Sequence, residues 1–391
     1  MKVLHLYANH KWTGPADLAL QLAQRLHASG ESAKSGLQLE FAMAGFVHAG
    51  MEHAMRARAA ELGLPVREGL QLRRHFHLPS LLADAATLAQ WITRDGIRLL
   101  HCHQSGDHLL AAMARSLSKP IPIVRSYWEA KVSLAWPRQA QAFAATASVL
   151  TPFPELVEPL ADRYSLARSR VLIQEPVLEI PDTVGSEERA RARSDLLGEL
   201  SLGKETRLCG ITARIQARRR WDLLWDLVQE MSREDPHFHL VVLGRPDEGV
   251  FEEICERPLR ERGASERVHF LGYRRGEAYR QALLALEVFF FLVPGSDPTC
   301  RALREAMALG LPAVTSDLGH LRSIVEEGVT GLCRPARVDE LAPALRQLLG
   351  RPEQARRMGE AAARRARERW AGEAQVAQTL ALYEALLGDA P

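Results

Sequence analysis

The chain has 391 residues, with 50 Lys+Arg against 48 Asp+Glu, 47% hydrophobic and 25% charged residues, a soluble globular balance long enough for two domains with separate cores. A net charge of +2 excludes a strongly cationic protein that coats nucleic acid. Five cysteines with no C-x-x-C pair argue against a disulfide framework or a zinc site and fit a reducing compartment.

Residues 2–7 (KVLHLY) read as a buried strand, too short for a signal-peptide core. No stretch approaches ~18 uninterrupted apolar residues, so a cytoplasmic protein is expected. A helix over 15–29, a strand over 39–46 and helices over 53–64 and 80–96 follow, then a strand over 98–103 and a helix over 108–118. PIPIVRSY and 147–151 are further strands, and this βαβα alternation predicts a parallel sheet covered on both faces. Residues 176–204, rich in Pro, Gly and charge, break the pattern as a domain boundary does. The alternation restarts with strands over 207–213, 239–244, 267–272, 287–293 and 312–317, and 353–387 is nearly all helix. The expected fold is α/β, two doubly wound domains. Their bounds are 1–178 and 205–370, with a linker at 179–204 and a last helix, 371–388, that crosses back onto the first domain.

Open α/β sheets bind ligands where strands enter helices through loops. Four such junctions carry unusual residues. In ITARIQARRRWDLLWDL, Arg214, Arg218, Arg219 and Arg220 converge before a helix opening near Trp221, as a phosphate site requires. The alternative is a solvated basic turn in a chain with 44 Arg and 6 Lys. In PGSDPTCRALREAMALG, Asp297 caps a helix opening near Pro298 or Thr299, and Glu305 lies about two turns in, a spacing suited to the hydroxyls of a polyol. An ordinary cap and a surface Glu account for the same spacing. In LLHCHQSGD, His101 and His103 point the same way from a strand, but a third metal ligand is not evident, so one lines a cleft and the other packs. In NHKWTGPAD, Gly14 lets a ligand approach the backbone, or is a plain turn glycine.

Together these junctions resemble the GT-B-fold retaining glycosyltransferases of family 4 (glycosyl transferases group 1), over nearly the whole chain and most strongly from 205 to 387. The family's E-x7-E element and E-A-M-A-x-G-x-P helix stand here as Asp297-x7-Glu305 and Glu305-Ala-Met-Ala-Leu-Gly-Leu-Pro. SDLGHLRSIVEEGVTGLCRP is similar to its D-x-G-G…E-x4-G stretch. The family's Arg and Lys on the donor diphosphate correspond to Arg214 and Arg219. Its second Glu, on the donor ribose, corresponds to Glu305, and its first, on the sugar, to Asp297. The resemblance also implies donor contacts at Gly14, Tyr273, Thr299 and Cys300, and acceptor-side positions at His10, His103 and Trp128. Two departures stand out. The cleft histidine of the family's V-x-T-x-H strand end is Trp128, and the glycines between the two carboxylates are Pro298, Thr299 and Cys300.

The resemblance implies a nucleotide-diphosphate sugar in a cleft between the domains, with a hinge near 176–204. It implies front-face transfer with retention to a glycan or lipid-linked acceptor in cell-envelope synthesis. Catalysis would rest on Arg214 and Arg219, with Asp297 and His103 positioning, and no cofactor or metal required. Residues 1–175 carry 19 Lys+Arg and 14 Asp+Glu. Within them Arg67, Arg73, Arg74 and Phe76 form a candidate contact for an anionic inner membrane face, the alternative being a solvated loop. Two other readings are open: a non-catalytic nucleotide-sugar-binding relative, suggested by Trp128, and a nucleotide-sugar 2-epimerase.

Overall fold

The computed structural model describes residues 1–45, 47, 53–73, 75–132, 137–181, 184–295 and 297–388. They divide into two compact units: Met1–Glu179 with Arg369–Pro391, and Ile180–Glu368.

Unit 1 holds strands β1 (Lys2–Tyr7), β2 (Gln38–Met43), β3 (Leu99–Cys102), β4 (Ile123–Ser126), β5 (Ser148–Thr151) and β6 (Val171–Ile173). They form one parallel sheet in the order β2-β1-β3-β4-β5-β6. Side chains alternate across a strand, so β1 feeds both faces. Val3 and Tyr7 join a core with Leu20, Phe41 and Val124, while Leu4 and Leu6 join another with Leu88, Leu100 and Leu110. The helix Glu373–Gly388 closes the first of these cores with Val376, Leu380 and Tyr383. It is pinned by Gln174, whose Nε2 donates to Thr379 Oγ1 at 2.8 Å.

Unit 2 repeats the design with β7 (Arg207–Thr212), β8 (Phe238–Leu243), β9 (Val268–Gly272), β10 (Val288–Phe291), β11 (Ala313–Ser316) and β12 (Gly331–Arg334), ordered β12-β11-β10-β7-β8-β9. All its strand pairs are parallel. Sequence patterning places ten of the twelve strands within a few residues. It misses β6 and β12, three and four residues long and each partly exposed.

The expected linker needs correction. Residues Ser186–Glu199 form a helix of unit 2. It is so rich in Arg and Glu that the apolar stripe, Ala192, Leu196 and Leu197, is easily read as solvated chain. The terminal stretch is also two helices, Pro352–Trp370 and Glu373–Gly388. Among the described residues no helix is long and apolar enough to cross a membrane.

Candidate active site

In unit 2 the connections leave β7 toward β8 and β10 toward β11, in opposite directions, so the crevice between adjacent strands β7 and β10 is the topological switch point. Both arginine and carboxylate motifs sit on its two loops. After β7 the chain runs through Gln216 into a tight turn at Ala217–Arg219. Arg220 then takes a left-handed conformation, φ 55°, before the helix Trp221–Glu234. That non-glycine left-handed residue reverses the chain and sends Arg219 toward the β10 loop. The fit there is close: a Cβ added to Gly295 would stand 1.8 Å from Arg219 Cζ, so only glycine leaves room for the guanidinium.

Arg219 is half-buried, its Nε has no hydrogen-bond partner, and no carboxylate pairs with it among the described residues. Burial and then Arg218 pull its pKa down, while Cys300 and Asp297 oppose the shift. A guanidinium in such a place remains charged and lacks an anion. Arg214 differs. Its Nε pairs with Asp247 Oδ1 at 2.5 Å, and the Asp247 carboxyl is held below the usual range by the Gln216 amide and then by Arg214. The two arginines that the sequence treats as equivalent are therefore one occupied and one open cation.

On the second loop, Asp297 is a cap, though of a turn and not of the helix itself. Its Oδ1 accepts from Thr299 N at 3.0 Å and from Thr299 Oγ1 at 2.5 Å, and its Oδ2 from Arg301 N at 3.3 Å. The helix begins later than expected, at Arg301, because Cys300 takes φ 53°. Thr299 and Cys300 are buried, and Cys300 Sγ lies 3.6 Å from His320 Nε2. Burial, with Asp297 beside it, pushes the thiol pKa far up, so it stays protonated. The backbone amides of Thr299 and Arg301 already serve Asp297, which leaves less of the helix N-terminus for an anion than the sequence suggests.

Glu305 accepts from Arg301 Nε at 2.7 Å. It neighbours Tyr279, whose hydroxyl donates to Thr212 Oγ1 at 3.2 Å, at the end of β7. Burial and then the Glu305 carboxylate raise the Tyr279 pKa well above its usual value. Glu305 thus faces the crevice from the β10 side and Tyr279 from the β9 side. Tyr273, just past β9, is 55% exposed and flanked by the guanidiniums of Arg275 and Arg245, 4.8 Å and 5.7 Å from its ring. It is a ready stacking platform. Sequence reasoning did not find Tyr279, Asp247, His320 or the role of Gly295. The Pro294-Gly295 dipeptide was the one local signal, and it marks a turn without naming what lies over it.

In unit 1 the switch point lies between β1 and β3. His103, expected in a cleft, is only 1% exposed. It ends a buried chain: Ser126 Oγ to His101 Nε2 at 2.8 Å, His101 Nδ1 to Tyr383 Oη at 2.5 Å, Tyr383 Oη to His5 Nε2 at 2.9 Å, and His5 Nδ1 to His103 Nε2 at 3.1 Å. His5 supplies the third imidazole missing from the sequence argument, with the three rings' nitrogens within 4.8 Å of one another. Hydrogen bonds already engage both nitrogens of His5 and of His101. Burial lowers the pKa of His5 to about 3 and those of His101 and His103 well below the usual value, so the rings are neutral.

Trp128 is buried, with its Nε1 unpartnered among the described residues. His10 is half-buried, its ring edge-on to His53 at 6.3 Å. Gly14 opens the helix Gly14–Ala28, capped by Thr13 Oγ1, which accepts from Ala16 N at 3.3 Å. Of the proposed membrane contacts, Arg67 is engaged elsewhere. It pairs with Glu40 at 2.8 Å and with Asp95, and stacks on Trp91 at 4.1 Å. Arg74 lies outside the described residues.

Residues 196–365 match the family model for glycosyl transferases group 1. The D-inositol 3-phosphate glycosyltransferase of Nocardia farcinica is 29% identical over 279 residues, 69% of this chain, which spans 58% of that relative's length. The N-acetyl-alpha-D-glucosaminyl L-malate synthase of Bacillus anthracis is 24% identical over 332 residues, 80% of this chain and 81% of that protein. The crystal structure of Anabaena Alr3699/HepE in complex with UDP superposes with a TM-score of 0.78 at 16% identity, covering 98% of this chain and 100% of that one. Residues 196–365 thus carry a glycosyl transferases group 1 domain, on a chain whose two parallel-sheet units have the GT-B fold.

Proposed function

We propose that the protein is a retaining, metal-independent glycosyltransferase that moves a sugar from a nucleotide-diphosphate sugar to a hydroxyl of a glycan or glycolipid acceptor. The observation that carries this reading is Arg219: half-buried, unpaired among the described residues, and held over Gly295 at the switch point of the group 1 domain. A donor diphosphate supplies the charge it lacks. Glu305 accepts from the ribose hydroxyls, Tyr273 stacks on the base, and Asp297 orients the sugar. That a solved structure of the same fold holds UDP supports a nucleotide at this crevice.

In the transfer, the bond from C1 of the sugar to the diphosphate oxygen breaks. The departing phosphate collects negative charge beside Arg219, which stabilises it without a metal. The acceptor oxygen bonds to C1 on the same face, and its proton passes to the leaving phosphate oxygen, so no protein base is needed. On this reading the protein works in the cytoplasm, in envelope or glycolipid synthesis. Arg73 and the exposed Phe76 and Leu78 of unit 1 offer a peripheral contact to anionic lipid.

Calorimetric titration with UDP, GDP, ADP and their sugar conjugates in EDTA tests the reading. One nucleotide binds without metal, and its sugar appears on an acceptor with unchanged anomeric configuration. No nucleotide binding overturns the proposal. Binding without transfer to any acceptor favours the non-catalytic relative, which buried Trp128 at the motif's histidine position supports. Inversion at C2 of the bound sugar favours the epimerase.

A further inference from the structure

Unit 1 carries an open pocket of about 270 Å³ at its own switch point. Ala8, which follows β1, and Gly106, in the turn that opens the helix Ser105–Ser116 after β3, form its floor, and Leu72, Phe76, Leu81, Leu109 and Leu110 its walls. The loop carrying Leu72 is held by the helix Leu78–Arg94: Asp84 accepts from Gln71 N and Leu72 N, both at 2.9 Å. A Cβ on Gly106 would come within 3.2 Å of Ala8 Cβ and 3.6 Å of Arg73 O, so a glycine sets the width of the floor.

The inner polar groups of the lining, Asp84, His77 and Ser80, are already engaged, while Arg73, His75, Ser105 and Gln139 also border the pocket. Besides Asp84, His77 Nδ1 meets Ser80 Oγ at 2.7 Å, and Ser80 Oγ donates to Gln71 Oε1 at 3.0 Å. No lining residue has a buried polar atom without a partner among the described residues. A pocket walled mostly by leucine and phenylalanine, with no buried donor or acceptor left unmet among the described residues, favours hydrocarbon over water. At ~30 Å³ per water-sized group it holds roughly nine such groups, an alkyl chain of about eight carbons or one fused aromatic system.

We propose that this cavity takes the apolar group of the acceptor, so that the acceptor is a hydroxyl compound with a medium alkyl chain or an aromatic aglycone. The proposal rests on the glycosyltransferase reading. Its particular support is position: open α/β sheets bind ligands at the switch point, and here both ring nitrogens of His5 and of His101 and the Nε2 of His103 are engaged within the fold, while the space beside them is mostly apolar.

The test uses the full chain and a series of n-alkyl β-D-glucopyranosides, methyl to decyl, each below its micellar concentration, with binding read by calorimetry and nucleotide binding read in parallel. Affinity rises about fourfold per methylene and levels off near octyl. Leu109→Trp and Leu81→Trp, which fill the pocket from two different helices, flatten the series. Leu82→Ser, at an exposed position of the same helix that does not line the cavity, leaves it unchanged. The wild-type series reads the proposal even if a Trp variant does not fold. A flat wild-type series with nucleotide binding intact overturns the proposal and leaves the transfer reading standing. A chain-length dependence that survives both folded Trp variants, or vanishes in Leu82→Ser, assigns the binding to the surface and also overturns it. Loss of nucleotide binding alone overturns the transfer reading, and with it the acceptor role of the occupant.

Discussion

The two switch points occupy the same place in two sheets of the same kind, yet they are lined in opposite ways. In unit 2 the crevice holds a guanidinium with an unused donor and a carboxylate beside a buried phenol. In unit 1 the same crevice is closed by neutral imidazoles bonded to one another and to a tyrosine from the end of the chain, beside a mostly apolar pocket. Topology chooses where a ligand can sit; the loop side chains decide whether that place calls for charge or for hydrocarbon.

The largest effect that can break this contrast is acid. His5, His101, His103 and His108 of unit 1 all have pKa values lowered chiefly by burial, His5 to about 3. Below about pH 6.5 the unfolded chain takes up protons that the folded chain refuses, so stability falls as pH falls, by about 1.4 kcal/mol per pH unit per group. Asp107, raised to about 7 by burial, acts in the opposite sense between about pH 7 and 4 and offsets one of the four. Urea unfolding at pH 7.5, 6.5 and 5.5 is expected to show a marked loss below 6.5, borne mainly by unit 1, with His239 and His269 of unit 2, also lowered chiefly by burial, adding to it in the same sense. A flat profile would mean that the imidazoles take up protons within the fold.

Arg219→Ala comes next. Leaving a donor phosphate unpaired costs about 3 kcal/mol, or roughly a hundredfold in donor affinity or turnover, with little change in melting temperature. The same experiment sharpens through Gly295, whose φ is not left-handed, so its backbone accepts alanine. Gly295→Ala displaces the guanidinium and weakens donor binding by a comparable amount in the wild type, yet has no further effect on top of Arg219→Ala. Additive losses in that cycle would separate the glycine from the arginine.

Tyr383→Phe is expected to cost about 1–3 kcal/mol of stability, because His5 and His101 each lose a buried partner. It leaves nucleotide binding unchanged, which a denaturant midpoint and a titration on the same sample report together. The smallest effect belongs to Tyr273→Leu, which removes an exposed ring flanked by two guanidiniums. A loss of about 1 kcal/mol in nucleotide affinity is expected, with no change in stability. If the loss is equal for diphosphate alone and for the nucleoside diphosphate, the ring does not stack on the base.

Much of this was legible in the sequence where the signal is local. Apolar runs such as KVLHLY and HLVVLG become β1 and β8 almost to the residue, because a strand buried on both faces needs little else. Motif spacing brought Arg219, Asp297 and Glu305 to one crevice. The rest depends on contacts between distant segments. Tyr279 meets Thr212 across 67 residues, and His5 meets Tyr383 across 378. Arg214 reads like Arg219 until Asp247 is seen to occupy it. The helix Ser186–Glu199 was hidden by its own charge, since three buried residues in fourteen give too faint a stripe.

The Tyr383 contact also sets a schedule. Unit 1 is assembled from two separate segments of the polypeptide, with unit 2 inserted between them in the sequence. On a ribosome adding ~10 residues per second, His5 waits more than half a minute for its partner hydroxyl, by which time unit 2 has already been made in full. A product that stops anywhere before residue 383 leaves the imidazoles of His5 and His101 facing a missing helix. Closure of the histidine cluster therefore reports that synthesis has passed residue 383, and a chain cut short of it carries an exposed apolar seam along Phe41, Leu20 and Val124 for quality control to find.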